Sequence, residues 1–221
     1  MKPLQSFTRV AGLLALTVLL ASCYSIELDT RFARDAAIHS QIIDQSEDRF
    51  ADIDPLYLSA EIKQLVSRHL QGARGQEERV AKLQELMYSE DYLNLQYTDQ
   101  QTHTALEAFL AREGNCLSAM NLYVAMARYV GIDAKFQTVE VQPSWDQRGG
   151  LLVLSQHINA TGKFSVQRRY IVDFTPEIAL QQLTSREVSD LYARGLYFNN
   201  LGVEEMIDGN MEEALEKAKS L

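Results

Sequence analysis

The sequence predicts an α+β domain in which helices come first, an antiparallel sheet follows, and a helical tail closes the chain. Three observations carry that expectation. Apolar residues recur at helical spacing from residue 59 to residue 130. Just after Gly131 the period changes to strict alternation. Helices and strands are segregated along the chain, which argues against a βαβ repeat.

The elements follow in order. Residues 24–57 carry mixed charges and scattered apolar positions, and Asp54-Pro55 punctuates their end, so the segment reads as a tether with some helix. Ser59 can cap a helix reaching about Gly72, with Ile62, Leu65, Val66 and Leu70 on one face. A second helix is expected from Gln76 to Tyr88, with Val80, Leu83, Leu86 and Met87 inward. A third is expected from Asp99 to Arg112, with Leu106, Phe109 and Leu110 inward. Residues 116–130 are apolar around most of their circumference, the mark of a buried central helix, and Gly131 is its expected C-cap. Residues 134–141 alternate and are rich in β-formers, so they read as a strand. Residues 142–150, with Trp145, read as a loop. Residues 151–160 and 168–174 are further strands, and helix returns near 185–192.

Hydrophobic residues make up 46% of the 221 and charged residues 23%, enough for one ordinary globular domain with an appendage. The formal charge of -9 argues against nucleic acid as a partner, which would need a basic face. Two cysteines, four histidines and no Cys-x-x-Cys spacing argue against a zinc site.

The first 22 residues read as a secretion signal. Lys2 and Arg9 supply the positive end, and residues 10–21 form the apolar stretch VAGLLALTVLLA. As a helix that stretch reaches only about 18 Å, well short of the roughly 30 Å hydrocarbon core. Leu20-Ala21-Ser22-Cys23 resembles the lipobox of bacterial lipoproteins, in which Cys23 would be lipidated and become the mature N-terminus. Tyr24 after it, in place of Asp, implies by the same resemblance the outer membrane, facing the periplasm. Lipid chains on Cys23 would anchor the protein there. Removal of 1–22 leaves a formal charge of -11 and Cys116 as the free thiol. A lone cysteine in an oxidising compartment is either buried and inert or chemically active.

The chemistry-bearing segment is Arg112-Glu113-Gly114-Asn115-Cys116-Leu117-Ser118. Gly114 breaks the preceding helix and Asn115 is a good N-cap, so Cys116 falls in the first turn of the central helix. Unpaired N–H groups and the helix dipole favour thiolate over thiol there, the setting of a nucleophilic cysteine. Taken alone, a buried structural cysteine reads equally well. Of the four histidines, His39 lies in the tether and His69 and His103 on expected surface helices. His157 ends the apolar strand LLVLSQHINA, where a satisfied, half-buried ring is the plain alternative. Asp173 closes Tyr170-Ile171-Val172-Asp173, where a strand-end cap is the plain alternative. Together the three fit one catalytic unit: imidazole as base and acid, carboxylate as its orienter, and the Cys116 N–H as an oxyanion donor. His157 and Asp173 can meet only if their strands are joined by a loop centred near Ser165, spanning about 161–167. A tight turn at Thr161-Gly162 would put them out of register.

Residues 104–173 resemble the transglutaminase-like superfamily. Gly114-x-Cys116, the long helix, and the turn Gly131-Ile132-Asp133-Ala134 are similar to that family's cysteine motif, helix and turn, and its strand histidine and aspartate match His157 and Asp173. The resemblance implies a papain-like core, with the Cys-bearing helix packed on an antiparallel sheet, and a Cys116–His157–Asp173 triad. It also implies acyl-enzyme chemistry on amides, and acyl transfer by a thiolate needs no cofactor or metal. Where the family often has Ala-Trp after the histidine, this chain has Ile158-Asn159. Residues 197–215 are similar to one tetratricopeptide repeat, with Leu201-Gly202, Gly209 and Ala214 at its helix and turn positions; a plain helical hairpin is the alternative. Asn159-Ala160-Thr161 matches a glycosylation sequon by coincidence in such a protein.

The organisation expected is therefore a signal at 1–22, a lipidated N-terminus and tether at 23–57, a transglutaminase-like domain at 58–182, and a helical repeat-like tail at 185–221. Two functions compete. One is an envelope thiol hydrolase or acyltransferase acting on peptide or isopeptide amides of a protein substrate. The other is an inert scaffold that binds envelope proteins through 195–221.

Overall fold

The computed structural model describes residues 49–148, 150–175 and 184–220. The signal at 1–22, Cys23 and most of the tether lie outside these residues.

Side-chain caps set where two of the early helices begin. α1 (Ala60–His69) follows Ser59, whose hydroxyl accepts from the Ile62 N–H. α2 (Gly75–Tyr88) buries Val80, Leu83, Leu86 and Met87. α3 (Ala105–Ala111) begins six residues later than the apolar pattern suggests. Thr104 and Glu107 form a reciprocal capping box at its start, and those two contacts fix the first turn. Ala105 and Ala108 point inward, whereas Leu110, expected inward, is 66% exposed. Two short strands, β1 (Gln96–Tyr97) and β2 (Glu113–Gly114), pair in parallel and bracket α3.

α4 (Cys116–Tyr129) is buried along nearly all of its length, from Leu117 to Ala127. It packs between the helices and a four-stranded sheet whose strands lie in the order 169–172, 151–163, 135–148 and 184–188, all neighbours antiparallel. Gly131, at φ +76°, ends it in the left-handed region as a C-terminal glycine should.

The sheet departs from the sequence expectation twice. β3 (Lys135–Arg148) continues through 142–148, which read as loop. This polar segment, with its Pro143, gains its conformation from the apolar run opposite, pairing from Ser144↔Ser155 to Arg148↔Leu151 with β4 (Leu151–Lys163). Between Val139 and Ser144 the register shifts, and Pro143 falls in that irregular stretch, where a proline is tolerated. Residues 185–188, expected as helix, form β6 (Thr184–Val188) instead. They cover the outer edge of β3 from Phe136↔Val188 to Glu140↔Thr184, an edge that would otherwise be left open.

β5 (Arg169–Val172) pairs with β4 from Lys163↔Arg169 to Ala160↔Val172. The connection is not a hairpin at Thr161-Gly162; it spans 164–168, centred within a residue of Ser165 as the register requires but shorter than the 161–167 expected, because residues 161–163 continue β4. Gly162 lies within the strand because the turn after α4 presses on it. A Cβ at Gly162 would sit 1.8 Å from the Asp133 carbonyl oxygen. That carbonyl also accepts the Tyr170 hydroxyl at 2.6 Å, and the Asp133 carboxylate accepts the Lys163 N–H at 3.0 Å.

The chain closes with α5 (Asp190–Ile207), capped by Ser189, and α6 (Met211–Ala218). Gly209 turns the chain between them at φ +84°. At Gly202 the two helices pack within contact distance, a Cβ there standing 3.4 Å from the Ala214 carbonyl. α5 is joined to the core by buried Ala193, Tyr197 and Phe198 and by Arg128, whose guanidinium bonds both Asp190 oxygens at 2.6 and 2.9 Å. Among the described residues no helix is long and apolar enough to cross a membrane.

Candidate active site

Cys116 opens α4, and a polar lattice holds that first turn in place. The Asn115 carboxamide accepts from the Ser118 N–H at 2.9 Å and donates to the Thr102 hydroxyl at 2.7 Å. The Ser118 hydroxyl accepts from the His103 N–H at 2.7 Å. Gly114 is required by the same packing, because a Cβ there would lie 2.5 Å from the Ser118 Cβ. Cys116 itself is partly exposed and free. Its sulfur lies 3.7 Å from the Thr175 hydroxyl.

The structure brings His157 and Asp173 together. The His157 Nε2 stands 2.8 Å from the Asp173 Oδ2, with the His157 side chain 3% exposed and that of Asp173 7%. The strand register explains the meeting. Val172 pairs with Ala160, so Asp173, just past the strand, lies across from Asn159 and diagonal to His157, on the side-chain face the two share. With Nε2 occupied by the carboxylate, Nδ1 is the nitrogen left for the Cys116 sulfur, the orientation a triad needs.

Charges within the group act strongly on one another. Burial disfavours a charged His157, but its hydrogen bonds to Asp173 and Cys116 and the charge of those groups outweigh it, raising the ring from 6.5 to about 9. Burial likewise opposes ionised Asp173. The His157 bond, the Thr175 N–H at 2.9 Å and the Asn159 carboxamide at 3.1 Å overcome that cost and hold the carboxyl below its ordinary range. At neutral pH the pair is imidazolium and carboxylate.

These shifts give a stability prediction. A raised His157 adds stability that is complete below about 6.5 and lost as pH rises through about 9. A lowered Asp173 adds stability present above its ordinary value of 3.8 and lost as pH falls through the depressed one. The urea midpoint should therefore plateau between pH 4 and 6.5 and fall toward pH 10. The His157 share of the fall is up to about 3 kcal/mol. The His157 share of the alkaline slope should be missing from His157→Ala; an equal slope in that variant would contradict the assignment.

Three neighbours had no role in the sequence reading. Asn159, noted there only as a sequon and a departure from a family pattern, is a ligand of Asp173. Its signal was available, since it lies two residues from His157 on the same strand face. Thr175 bonds the other Asp173 oxygen through its N–H. Tyr88 stacks on Phe174 with ring centres 5.5 Å apart, and its hydroxyl is buried with no hydrogen-bond partner among the described residues. Burial, then the charges of Asp173 and Cys116, push that phenol up, so it remains a proton donor. Nothing in residues 76–88 alone could reveal this, because the contact is made by α2 across the fold. His69 and His103, expected on surface helices, each carry a buried Nε2, and the His103 backbone belongs to the lattice beneath Cys116.

Cys116 and His157 open onto a cleft of about 1250 Å³. It is lined by residues 97–102, the start of α4, the β3–β4 ribbon and α5.

The family model described as the transglutaminase-like superfamily matches residues 63–173, half of the chain, and its last matched residue is Asp173. No curated protein and no solved structure matches the sequence.

Proposed function

The chain belongs to the transglutaminase-like superfamily, and from that premise we propose that it is a thiol hydrolase or acyltransferase acting on peptide or isopeptide amides of the cell envelope. The observation that supports it most is the buried His157–Asp173 pair at 2.8 Å, on the edge of a cleft that also holds the Cys116 sulfur.

The chemistry follows from the proton positions. Thiolate at Cys116 attacks the amide carbonyl, forming a C–S bond, and the carbonyl oxygen takes the negative charge beside the Cys116 N–H at the helix start. His157 as imidazolium gives its proton to the departing amine as the C–N bond breaks, leaving a thioester on Cys116. Neutral His157 then takes a proton from water or an acceptor amine, which attacks the thioester. The product is a carboxylic acid or a new amide, and the thiolate–imidazolium pair is restored. Asp173 keeps the ring oriented throughout and balances its charge.

The envelope assignment rests on the signal-like 1–22 and on LASC ending at Cys23, which anchors the protein through lipid. An inert transglutaminase-like scaffold that uses its helical tail to bind envelope proteins is the competing reading.

Thioester trapping separates the two. Mixing the protein with an activated acyl ester and quenching in acid should give one acyl adduct by intact mass, mapped to Cys116, that hydroxylamine removes. Cys116→Ser should give no hydroxylamine-labile adduct. A wild-type protein that forms none, or an adduct that persists in the variant, would leave the scaffold reading standing.

A further inference from the structure

The C-terminal hairpin contributes to the cleft along its whole first helix. Cleft-lining positions on α5 come in adjacent pairs four residues apart, from Leu191-Tyr192 through Asn199-Asn200 to Ile207-Asp208. That spacing is one continuous stripe on one side of a helix. Eighteen residues of α helix give a wall about 27 Å long, the span of about eight residues of extended chain. A small amide would fill only a fraction of it.

The lining also has a particular chemistry. Gln100, Gln101 and Gln156 line the cleft from residues 97–102 and β4, and Asn199 and Asn200 line it from α5. Among the described residues none of these five carboxamides is hydrogen-bonded within the protein. A carboxamide both donates and accepts, as a peptide group does, so carboxamides lining one cleft can pair with the N–H and C=O groups of an extended backbone whatever its side chains. The cleft's guanidinium, Arg148, is bonded to Asp99 at 2.6 Å, so it does not select an anionic ligand.

We propose that α5 is the substrate wall of the cleft, and that the substrate is an extended polypeptide segment of about eight residues held through its backbone by Asn199, Asn200 and Gln156. The proposal rests on the amide-directed reading of Cys116, whose substrate class it narrows. It gives the tail residues at 195–208 a role inside the enzyme.

The test is binding, which needs no turnover. In full-length Cys116→Ala protein, a fluorescein-labelled, uncharged, unstructured octapeptide should bind at least tenfold more tightly than the corresponding dipeptide amide. Scrambling its sequence should change affinity by less than threefold. Asn199→Ala with Asn200→Ala should weaken the octapeptide about tenfold, as should Gln156→Ala, at a strand position that does not depend on α5 folding. Met206→Ala, on α5 but outside the stripe, should leave binding unchanged. Equal affinity for dipeptide and octapeptide, indifference to the wall variants, or an equal loss in Met206→Ala would overturn the proposal. Thioester formation without octapeptide binding would overturn the wall alone. Wall-dependent binding without any thioester would uphold the wall and count against the enzyme reading.

Discussion

Asp173→Asn should lower kcat/KM on an amide substrate by about 10³–10⁴-fold while leaving the fold intact. The carboxylate accepts at 2.8 Å from His157 and also takes the Asn159 carboxamide and the Thr175 N–H. A carboxamide of the same shape can keep part of that network, but it carries no charge. It can also present N–H to the imidazole and stabilise the wrong tautomer. The ring would then no longer offer Nδ1 to the sulfur in the protonation state that transfer requires. Circular dichroism should match wild type while steady-state kinetics collapse. A loss below tenfold in a folded variant would mean that Asp173 caps the strand and does not serve the ring.

Gly162→Ala should be among the most damaging single methyl groups that can be added to this chain. The added carbon would start 1.8 Å from the Asp133 carbonyl oxygen and 2.7 Å from the Tyr170 ring. Backbone is the obstacle at the first contact, so a side-chain rotation cannot relieve it. Relief requires the 131–134 turn to lift from β4, which breaks the Tyr170–Asp133 and Lys163–Asp133 bonds. Overpacking of this kind costs about 3 kcal/mol or more once a lost hydrogen bond is added. Against a total stability of roughly 5–15 kcal/mol, that is a large fraction. The urea midpoint should drop by more than about 1 M. The same turn fixes α4 against the strand that carries His157, so activity should fall with it. An unchanged midpoint would show that the contact at Gly162 is not a constraint on the fold.

Much of this was legible in residue order because the signals were local. Asn115 as a cap, Gly131 as a stop and the all-round apolar surface of 116–130 define α4 without reference to anything distant. The alternation of two strands is enough to put His157 and Asp173 on one face, and the loop at 164–168 brings them into register. What escaped depended on partners far along the chain. Residues 142–148 are strand because 151–155 pair with them. Residues 184–188 are strand because β3 had an edge to cover. Leu110 points outward because α3 turns Ala105 and Ala108 to the core. Tyr88, Asn159 and Thr175 join the site only after α2, β4 and the end of β5 converge.

The alkylation rate of Cys116 in folded protein tests most directly whether thiol, imidazole and carboxylate form one unit. At pH 7 iodoacetamide should label wild-type Cys116 completely without denaturant, and at least tenfold faster than in His157→Ala, because the imidazolium sustains the thiolate. A thiol that stays unlabelled until the protein unfolds, or that reacts at the same rate with and without His157, would contradict the account.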